Sequence, residues 1–252
     1  MKKVFQSKYK NFESEIDEFV LSFDNSGEQL KDARNKLKLF PFKDGQVNIK
    51  SFKVPNLINQ VVYRFFRKSK AQRSFEYANK LKNLGIGTPN PIAYYEFSTS
   101  FLYKRSFYVS EQLESNLTYR ELIRDFDYPN HEDILRAFTR FTFKLHEKGI
   151  NFLDHSPGNT LIKKNSDEYE FFLVDLNRMK FGSMTFEMRI QNFSRLTIHK
   201  SMVEVMSDEY AKCSGEDYSR IFNLMWQETE DFQEKYHRKR RLKKKLKFWK
   251  RS

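Results

Sequence analysis

The sequence predicts an α+β fold with two lobes, a small β-rich N-lobe and a larger, mostly helical C-lobe. Short β-prone runs cluster in the first 110 residues, and helical periodicity dominates after residue 111. A polar loop and a β-hairpin interrupt the helical part between residues 152 and 175. We place the N-lobe at residues 1–110, the C-lobe at 111–236 and a basic tail at 237–252.

Composition indicates a globular protein of the reducing interior of a cell. The chain has 252 residues, 26 of them Phe, and one cysteine, Cys213, which cannot form an internal disulfide. The first residues lack the apolar stretch of a secretory signal, and no apolar run approaches the ~20 residues that span a bilayer. We therefore expect a cytoplasmic location.

The N-lobe begins irregularly and continues as strands, of which residues 37–40 and 47–50 are the clearest. Alternation places Asn48 and Lys50 on one face of the second strand, opposite Val47 and Ile49. Residues 56–68 then change to helical spacing, and a second helix follows over about 70–84 with Phe75 in its inner stripe. We expect the first of these helices to pack on its own lobe rather than on lipid. Strands at about 92–97 and 100–110 complete the lobe.

The C-lobe opens with a short helix and continues with a longer one. Thr118-Tyr-Arg-Glu121 is a capping box, and Asn130 is placed to cap a helix that ends at Gly149. After the hairpin we expect helices over about 185–212 and from 216 into the tail.

The most informative segment lies between the long helix and the hairpin. It reads Phe152-Leu-Asp154-His-Ser-Pro-Gly-Asn159, then a hairpin, then Phe171-Phe-Leu-Val-Asp175. An Asp, an Asn five residues later and a second Asp closing an apolar strand is the layout of a kinase catalytic loop and metal site. Asp125 and Asn130 have the same spacing, but no apolar strand ending in Asp follows them.

The order of these parts resembles the bacterial lipopolysaccharide kinases, the Kdo/heptose kinases of the protein-kinase-like superfamily. The resemblance runs from about residue 25 to 240. The segments that carry it are Val47-Asn-Ile-Lys50-Ser-Phe, Arg67-Lys-Ser-Lys-Ala-Gln-Arg-Ser-Phe-Glu76, Gly85-Ile-Gly-Thr-Pro-Asn-Pro-Ile, Tyr108-Val-Ser-Glu111, Asp154-His-Ser-Pro-Gly-Asn159 and Val174-Asp-Leu-Asn-Arg178.

The resemblance implies ATP and Mg²⁺ as cofactors and a sugar hydroxyl of the lipopolysaccharide inner core, on Kdo or heptose, as acceptor. It implies that Lys50 neutralises the α- and β-phosphates, with Lys53 as the fallback, and that Glu76 keeps Lys50 aimed. Asp154 would accept the proton of the attacking hydroxyl. The implied metal ligands are Asn159 and Asp175, and Glu111 with Gln112 would mark the hinge that meets adenine.

Three features depart from protein kinases. Phe152 stands where a His is usual, Leu176-Asn177 follows Asp175 in place of Phe-Gly, and no G-x-G-x-x-G precedes Lys50. The first and third keep a catalytically inactive binding module on the same fold open as an alternative. The scattered histidines give no zinc pattern, and Arg178, Lys180 and the basic run 64–73 are candidate acceptor contacts.

The basic charge is concentrated in the tail. Of the 46 basic residues, ten lie in 237–252, so the rest of the chain has 36 basic against 33 acidic residues, a net charge of +3. Such a tail favours an anionic partner, either the inner face of the cytoplasmic membrane or, as a weaker alternative, nucleic acid. Nucleic acid is disfavoured because no aromatic platform or known RNA-binding module accompanies the charge.

Overall fold

The computed structural model describes residues 1–32, 35–165 and 168–249. The chain divides into two compact units. Unit 1 consists of Met1–Glu114 with Phe172–Arg178, and unit 2 consists of Ser115–Phe171 with Met179–Ser252. The segment that contains Asp175 therefore belongs to the first unit although it follows much of the second in sequence.

Unit 1 is built on a six-stranded sheet in which every neighbouring pair is antiparallel. Its strands are β1 (Lys2–Phe5), β2 (Glu28–Asp32), β3 (Lys36–Phe42), β4 (Gly45–Phe52), β5 (Pro91–Ser98) and β6 (Tyr103–Glu111), in the spatial order β1-β5-β6-β4-β3-β2. On β4 the predicted alternation is confirmed, because Val47 and Ile49 are fully buried while Asn48 and Lys50 are partly exposed.

A helix in the irregular start of the chain covers one face of this sheet. Helix α1 (Glu13–Leu21) follows a 3₁₀-helix at Ser7–Phe12, and neither was predicted from the sequence. Ile16 and Val20 of α1 are buried against strand residues such as Phe40 and Ile49. Burying a large apolar side chain contributes about 1.5–3 kcal/mol, so this short helix is held by packing rather than by its own propensity.

The two helices after β4 behave differently. Helix α3 (Lys70–Asn83) buries the predicted inner stripe, including Phe75. Helix α2 (Leu57–Phe65) exposes its apolar side to solvent: Ile58 is 77% exposed, and Gln60 is its one buried residue. The helix does contact its own lobe, at β6, but it is the polar side of the helix that faces the protein.

Unit 2 is mostly helical, with short strands around its loops. The helices are α4 (Tyr119–Arg124), α5 (His131–Glu147), α6 (Phe186–Gln191), α7 (Lys200–Ser214) and α8 (Tyr218–Trp249). The strands are β7 (Leu117–Thr118), β8 (Ile150–Phe152), β9 (Thr160–Asn165), β10 (Glu168–Leu173) and β11 (Met179–Phe181). The last two residues of β10 already belong to unit 1.

An apolar cluster joins the helices of unit 2. Phe138 of α5 is fully buried and packs with Tyr119, Phe171 and residues of α7 and α8. The capping box at Thr118 is present, as the sequence predicts. Asn130 precedes α5 as expected, but its side chain makes no capping bond and its backbone is left-handed.

Helix α8 continues from the core of unit 2 into the basic tail. It runs as one helix to Trp249, so residues 237–249 are helical, and Arg238 to Lys243 are exposed. The last three residues of the predicted tail lie outside the described part of the chain. Among the helices that the structure describes, none combines the length and apolarity needed to cross a bilayer.

Candidate functional site

Lys50 and Asp175 meet within unit 1. The Lys50 Nζ lies 2.7 Å from Asp175 Oδ1, and both side chains are partly shielded from solvent. Asn177 Nδ2 donates to the same oxygen at 2.6 Å. Lys50 lies on strand β4 of the sheet, and Asp175 lies in the segment that follows β10. Two residues 125 positions apart in sequence, each predicted to act in phosphoryl transfer, therefore form one ion pair.

Asp175 has an unusual backbone conformation. Its φ is +59°, in the left-handed region that residues other than glycine rarely adopt. Such conformations cluster at functional sites when the surrounding structure holds them in place. The preceding strand end is anchored to the loop after α3, because Leu173 N donates to Gly87 O at 2.9 Å and Thr88 Oγ1 donates to Leu173 O at 2.8 Å.

Glu76 does not pair with Lys50, contrary to the sequence-based expectation. Its carboxylate accepts hydrogen bonds from Lys68 Nζ at 2.8 and 2.9 Å and from Gln72 Nε2 at 2.9 Å. Lys50 is bonded to Asp175 instead. The reason is local, since Lys68 lies just before α3 and reaches the side chain of Glu76 across the helix start.

Glu111 lies where β6 ends and is held in place by its own unit. Tyr9 donates to one carboxylate oxygen, and Asn90 Nδ2 donates to the other at 2.6 Å. Burial alone would raise the pKa of Glu111, but these two hydrogen bonds, together with the positive charges of Lys8 and Lys43, outweigh it and lower the pKa.

The amides at the predicted hinge are engaged as well. Glu111 N donates to Asn90 O and Gln112 N to Gln46 O, each at 2.9 Å. An adenine ring at this position would therefore have to use carbonyl oxygens or the backbone beyond Gln112.

In unit 2, Asp154 and Asn159 lie in the loop between β8 and β9. Asn159 Nδ2 donates to Asp154 O at 2.8 Å, which closes the loop on itself. Arg195 donates to Asp154 Oδ1 at 2.9 Å and to Leu153 O at 2.8 Å. The Asp154 side chain is only 17% exposed. Because the bond from Arg195 is charge-assisted, it restrains the orientation of this carboxylate.

Asn192, three residues before Arg195, supports strand β8, which precedes this loop. Asn192 Nδ2 donates to Phe152 O at 3.0 Å and to Asn151 Oδ1 at 3.1 Å, and its Oδ1 lies 3.3 Å from His146 Nε2. His146 also contacts the hydroxyl of Tyr210 at 2.9 Å. Burial lowers the pKa of His146 to about 4, so the ring is neutral near pH 7 and acts as a fixed hydrogen-bonding group.

The residue two positions before Asp154 has a structural role. Phe152 is fully buried in β8, which pairs with β11, and its ring lies 5.8 Å from that of His155. His155 is itself buried among Phe138, Phe152 and Phe193. Burial, with added repulsion from His146, lowers the pKa of His155 to about 3. Aromatic packing thus supports the loop where a polar His is usual.

The candidate metal ligands are oxygen donors. Asn159 Oδ1 accepts no hydrogen bond from any residue that the structure describes, and Asp175 supplies a carboxylate. Amide and carboxylate oxygens suit Mg²⁺, which is a hard cation. Within the described ranges, no group of three or more His, Cys, Asp and Glu side chains is placed to hold a metal ion.

Sequence reasoning missed Arg195 and Asn192. Both lie in a stretch expected to be plain helix, whereas the structure has a break between α6 and α7 there. The run Asn192-Phe-Ser-Arg195 carries no motif that links it to a loop some 40 residues earlier. Only the fold reveals these contacts.

Comparison with known proteins places the chain in a family. No curated protein matches it. Among solved structures 976 chains match, so the fold is widespread and does not by itself fix an activity. One of them, "WaaP in complex with acyl carrier protein", has 15% sequence identity and a TM-score of 0.63, over 92% of this chain and 99% of that one.

This likeness confirms the predicted fold class, a β-rich part followed by a mostly helical part. The model of one protein family, described as "Lipopolysaccharide kinase (Kdo/WaaP) family", matches residues 54–236, which is more than two thirds of the chain. The match confirms the resemblance drawn from the ordered sequence motifs. The chain therefore belongs to the lipopolysaccharide kinase (Kdo/WaaP) family.

Proposed function

We propose that the protein transfers the γ-phosphoryl group of ATP to a hydroxyl of Kdo or heptose in the lipopolysaccharide inner core. Family membership supports a phosphotransferase acting on lipopolysaccharide. The single observation that carries the proposal further is the ion pair of Lys50 with Asp175 at 2.7 Å. A cation for phosphate oxygens and a carboxylate for a metal ion, side by side at the end of a strand, is the arrangement that phosphoryl transfer requires.

Each side chain has a defined task in this reaction. Lys50 binds the α- and β-phosphates, and Asp175, with Asn159, binds Mg²⁺, which neutralises the charge on the transferring group. Asp154 orients the acceptor hydroxyl and takes its proton, and Arg195 keeps that carboxylate in one rotamer. Lys50 and Asn177 hold the carboxylate of Asp175 in place before substrate arrives.

The test is transfer of labelled phosphate from ATP to purified lipopolysaccharide core. We expect Asp154→Asn and Asp175→Asn each to lower kcat by about 10²–10⁴-fold. Asp125→Asn is the matched control, because Asp125 has the same spacing to a following Asn but lies outside the proposed site. Full turnover in both site variants would refute the assignment of roles.

An inactive binding module is the second candidate function. Two observations favour it: the sequence has no glycine-rich loop before Lys50, and the backbone amides of Glu111 and Gln112 are already bonded within unit 1. Saturating Mg-ATP should raise the Tm of an active kinase, since a ligand that binds the native state stabilises it. The absence of both a Tm shift and phosphate transfer would favour the binding module.

We further propose that the protein acts at the inner face of the cytoplasmic membrane, where the exposed cationic residues of α8 contact anionic lipid. Each Lys or Arg near such a surface contributes about 1 kcal/mol. Binding to anionic vesicles should weaken with rising salt, and salt-independent binding would contradict this electrostatic contribution.

A further inference from the structure

A cavity of about 570 Å³ lies in unit 1 beside the start of α3, and we call it the basic pocket. Five cationic side chains line it, and no Asp or Glu is among its lining residues. The five are Lys53, Arg67, Lys70, Arg73 and Arg178. The other polar lining residues are neutral Asn and Tyr side chains. A cavity with this lining concentrates positive charge around one space.

Three of the five cations have no carboxylate partner in the part of the chain that the structure describes. Among the described residues, no carboxylate lies within ion-pair distance of Lys53, Arg67 or Arg73, and the one hydrogen bond found for Arg73 joins its Nε to Ser69 O at 3.4 Å. Burial lowers the pKa of Arg73, and repulsion from Arg67 and Arg178 lowers it further. Clustered like charges destabilise a fold, so an anion in this space would relieve the repulsion.

Two helix starts reinforce the effect. Asn56 is the N-cap of α2, Lys70 is the first residue of α3, and both line the pocket. The amides at a helix N-terminus carry partial positive charge and bind phosphate groups well. The pocket therefore combines guanidinium groups, which match phosphate oxygens in bidentate fashion, with two helix starts.

We propose that the basic pocket binds an anionic, phosphate-bearing sugar, as the part of the acceptor that lies next to the reacting hydroxyl. That this sugar is part of the acceptor rests on the proposed function, whereas its binding in the pocket does not. Asn177 connects the basic pocket with the proposed reaction site, because it lines the pocket and also donates to Asp175. The neutral Asn and Tyr residues suit sugar hydroxyls, and Lys50 is not part of the lining.

The test is calorimetric titration of the full chain, without nucleotide, with glucose 6-phosphate, glucose and inorganic phosphate. We expect glucose 6-phosphate to bind more tightly than either of the others. Arg67→Gln and Arg73→Gln should each weaken that binding at least about tenfold, because a charge-assisted contact is lost. Lys104→Gln, an exposed change on β6, is the matched control.

The outcomes separate the alternatives. Loss of binding in Lys50→Met but not in the two arginine variants would assign the phosphate to the nucleotide side and overturn the proposal. Equal affinity for inorganic phosphate and glucose 6-phosphate would overturn the sugar part. An arginine variant that binds glucose 6-phosphate weakly while its affinity for Mg-ATP, titrated separately, is unchanged would support it. The proposed kinase reaction could fail without altering these affinities, since they are measured without transfer.

A second inference comes from the opposite side of α2. Leu57, Ile58, Val61 and Phe65, with Phe66 just after the helix, are exposed, and Phe66 is 81% exposed. Phe101, 75% exposed, lies in the turn that α2 touches through the bond from Arg64 Nε to Ser100 O. We call these six residues the apolar face. Clusters of exposed large apolar residues of this kind mark interaction sites.

The charges around the apolar face favour one partner. Residues 45–75 contain seven Lys or Arg and no Asp or Glu, and Arg64, Arg67 and Lys68 on and just after α2 are exposed. A helix with an apolar side and basic flanks lies in the interface of an anionic bilayer. A second copy of the chain would bring the same positive surface against this one and be repelled.

We infer that the apolar face of α2 inserts into the headgroup region of an anionic phospholipid bilayer. This surface is separate from the cationic end of α8, and it contributes apolar burial, which salt does not screen. The inference does not depend on the kinase reaction.

The test is co-sedimentation of the full chain with phosphatidylcholine vesicles, with and without phosphatidylglycerol. We expect the double change Ile58→Ser with Phe66→Ser to weaken binding to anionic vesicles at least about tenfold, because two large apolar groups no longer insert. Leu21→Ser with Ile198→Ser is the matched control, since both side chains are exposed and neither belongs to the apolar face.

Unchanged vesicle binding in the α2 variant would overturn the inference. A wild-type dimer in sedimentation velocity that the α2 variant abolishes, without vesicle binding, would assign the face to a second copy instead. Equal Tm values for the variant and the wild type exclude unfolding as the cause of a loss.

Discussion

Two buried histidines beside the catalytic-type loop should make the fold sensitive to mild acid. His146 and His155 are each about 1% exposed, and burial lowers their pKa values from 6.5 to about 4 and about 3. In the unfolded chain both rings take up a proton below pH 6.5, whereas in the folded chain they stay neutral. The stability that depends on them is therefore present above pH 6.5 and is lost as the pH falls.

The magnitude follows from the linkage between protonation and folding. Each ring lowers the free energy of unfolding by about 1.4 kcal/mol for every pH unit below 6.5, until the pH reaches the pKa of that ring in the folded chain. Between about pH 7.5 and about pH 5.5 the two together should lower the free energy of unfolding by about 3 kcal/mol. Carboxylates scarcely contribute in this window, because their unfolded pKa values lie near 4.

The assay is urea unfolding at these two pH values, followed by far-UV circular dichroism. The variant His146→Gln with His155→Leu should lose most of the difference between the two pH values, although its stability at neutral pH also falls. His237→Gln, whose ring is exposed on α8, should behave as the wild type. A double variant that keeps the full difference of about 3 kcal/mol would refute the reasoning.

Three further predictions concern single residues. Arg195→Met should lower kcat about tenfold with little change in the ATP KM, because Asp154 loses its orienting partner. Arg195→Lys should restore part of the lost kcat, and steady-state kinetics measures both variants. Gly149→Ala should destabilise the fold by about 3 kcal/mol in urea unfolding, since φ is +64° and a Cβ would lie 2.5 Å from a carbonyl oxygen. Gly215→Ala, at φ +74° with open space, should cost only about 1 kcal/mol. Thr118→Ala should cost about 1 kcal/mol of unfolding free energy through loss of the capping box, and an unchanged urea midpoint would contradict this.

The elements that could be predicted from sequence were those with strong local patterns. Helix α3 and its buried stripe, the capping box at Thr118 and the alternation on β4 follow from residue patterns within a few neighbouring positions. The family could be recognised because several weak motifs occur in a fixed order, although each one alone is common by chance.

The errors arose where tertiary contacts decide. Helix α1 was missed because its few apolar residues gain stability only against the sheet. The exposure of the apolar stripe of α2 could not be predicted, since periodicity shows that a helix is amphipathic but not what covers its apolar side. Glu76 was assigned to Lys50 from the resemblance, whereas the nearer Lys68 occupies it.

The candidate site was predicted in part. Lys50 and Asp175 were named from sequence, and the structure pairs them directly. The roles of Asp154, Asn159 and Glu111 stay predictions, as do the lobe boundaries. The partners Arg195 and Asn192 could not be found, because a contact between segments about 40 residues apart leaves no periodic trace.

The pairing of Lys50 with Asp175 has a consequence for the order in which ligands are accepted. In the ligand-free protein each of these two charges already has a counterion, so a ligand that binds either side chain must displace that counterion. Under the proposed function, a bare nucleotide that took Lys50 would remove a counterion from Asp175, and a lone Mg²⁺ that took Asp175 would remove one from Lys50. Metal and nucleotide arriving together would give both side chains a new partner, so we expect the site to favour their complex over either ligand alone.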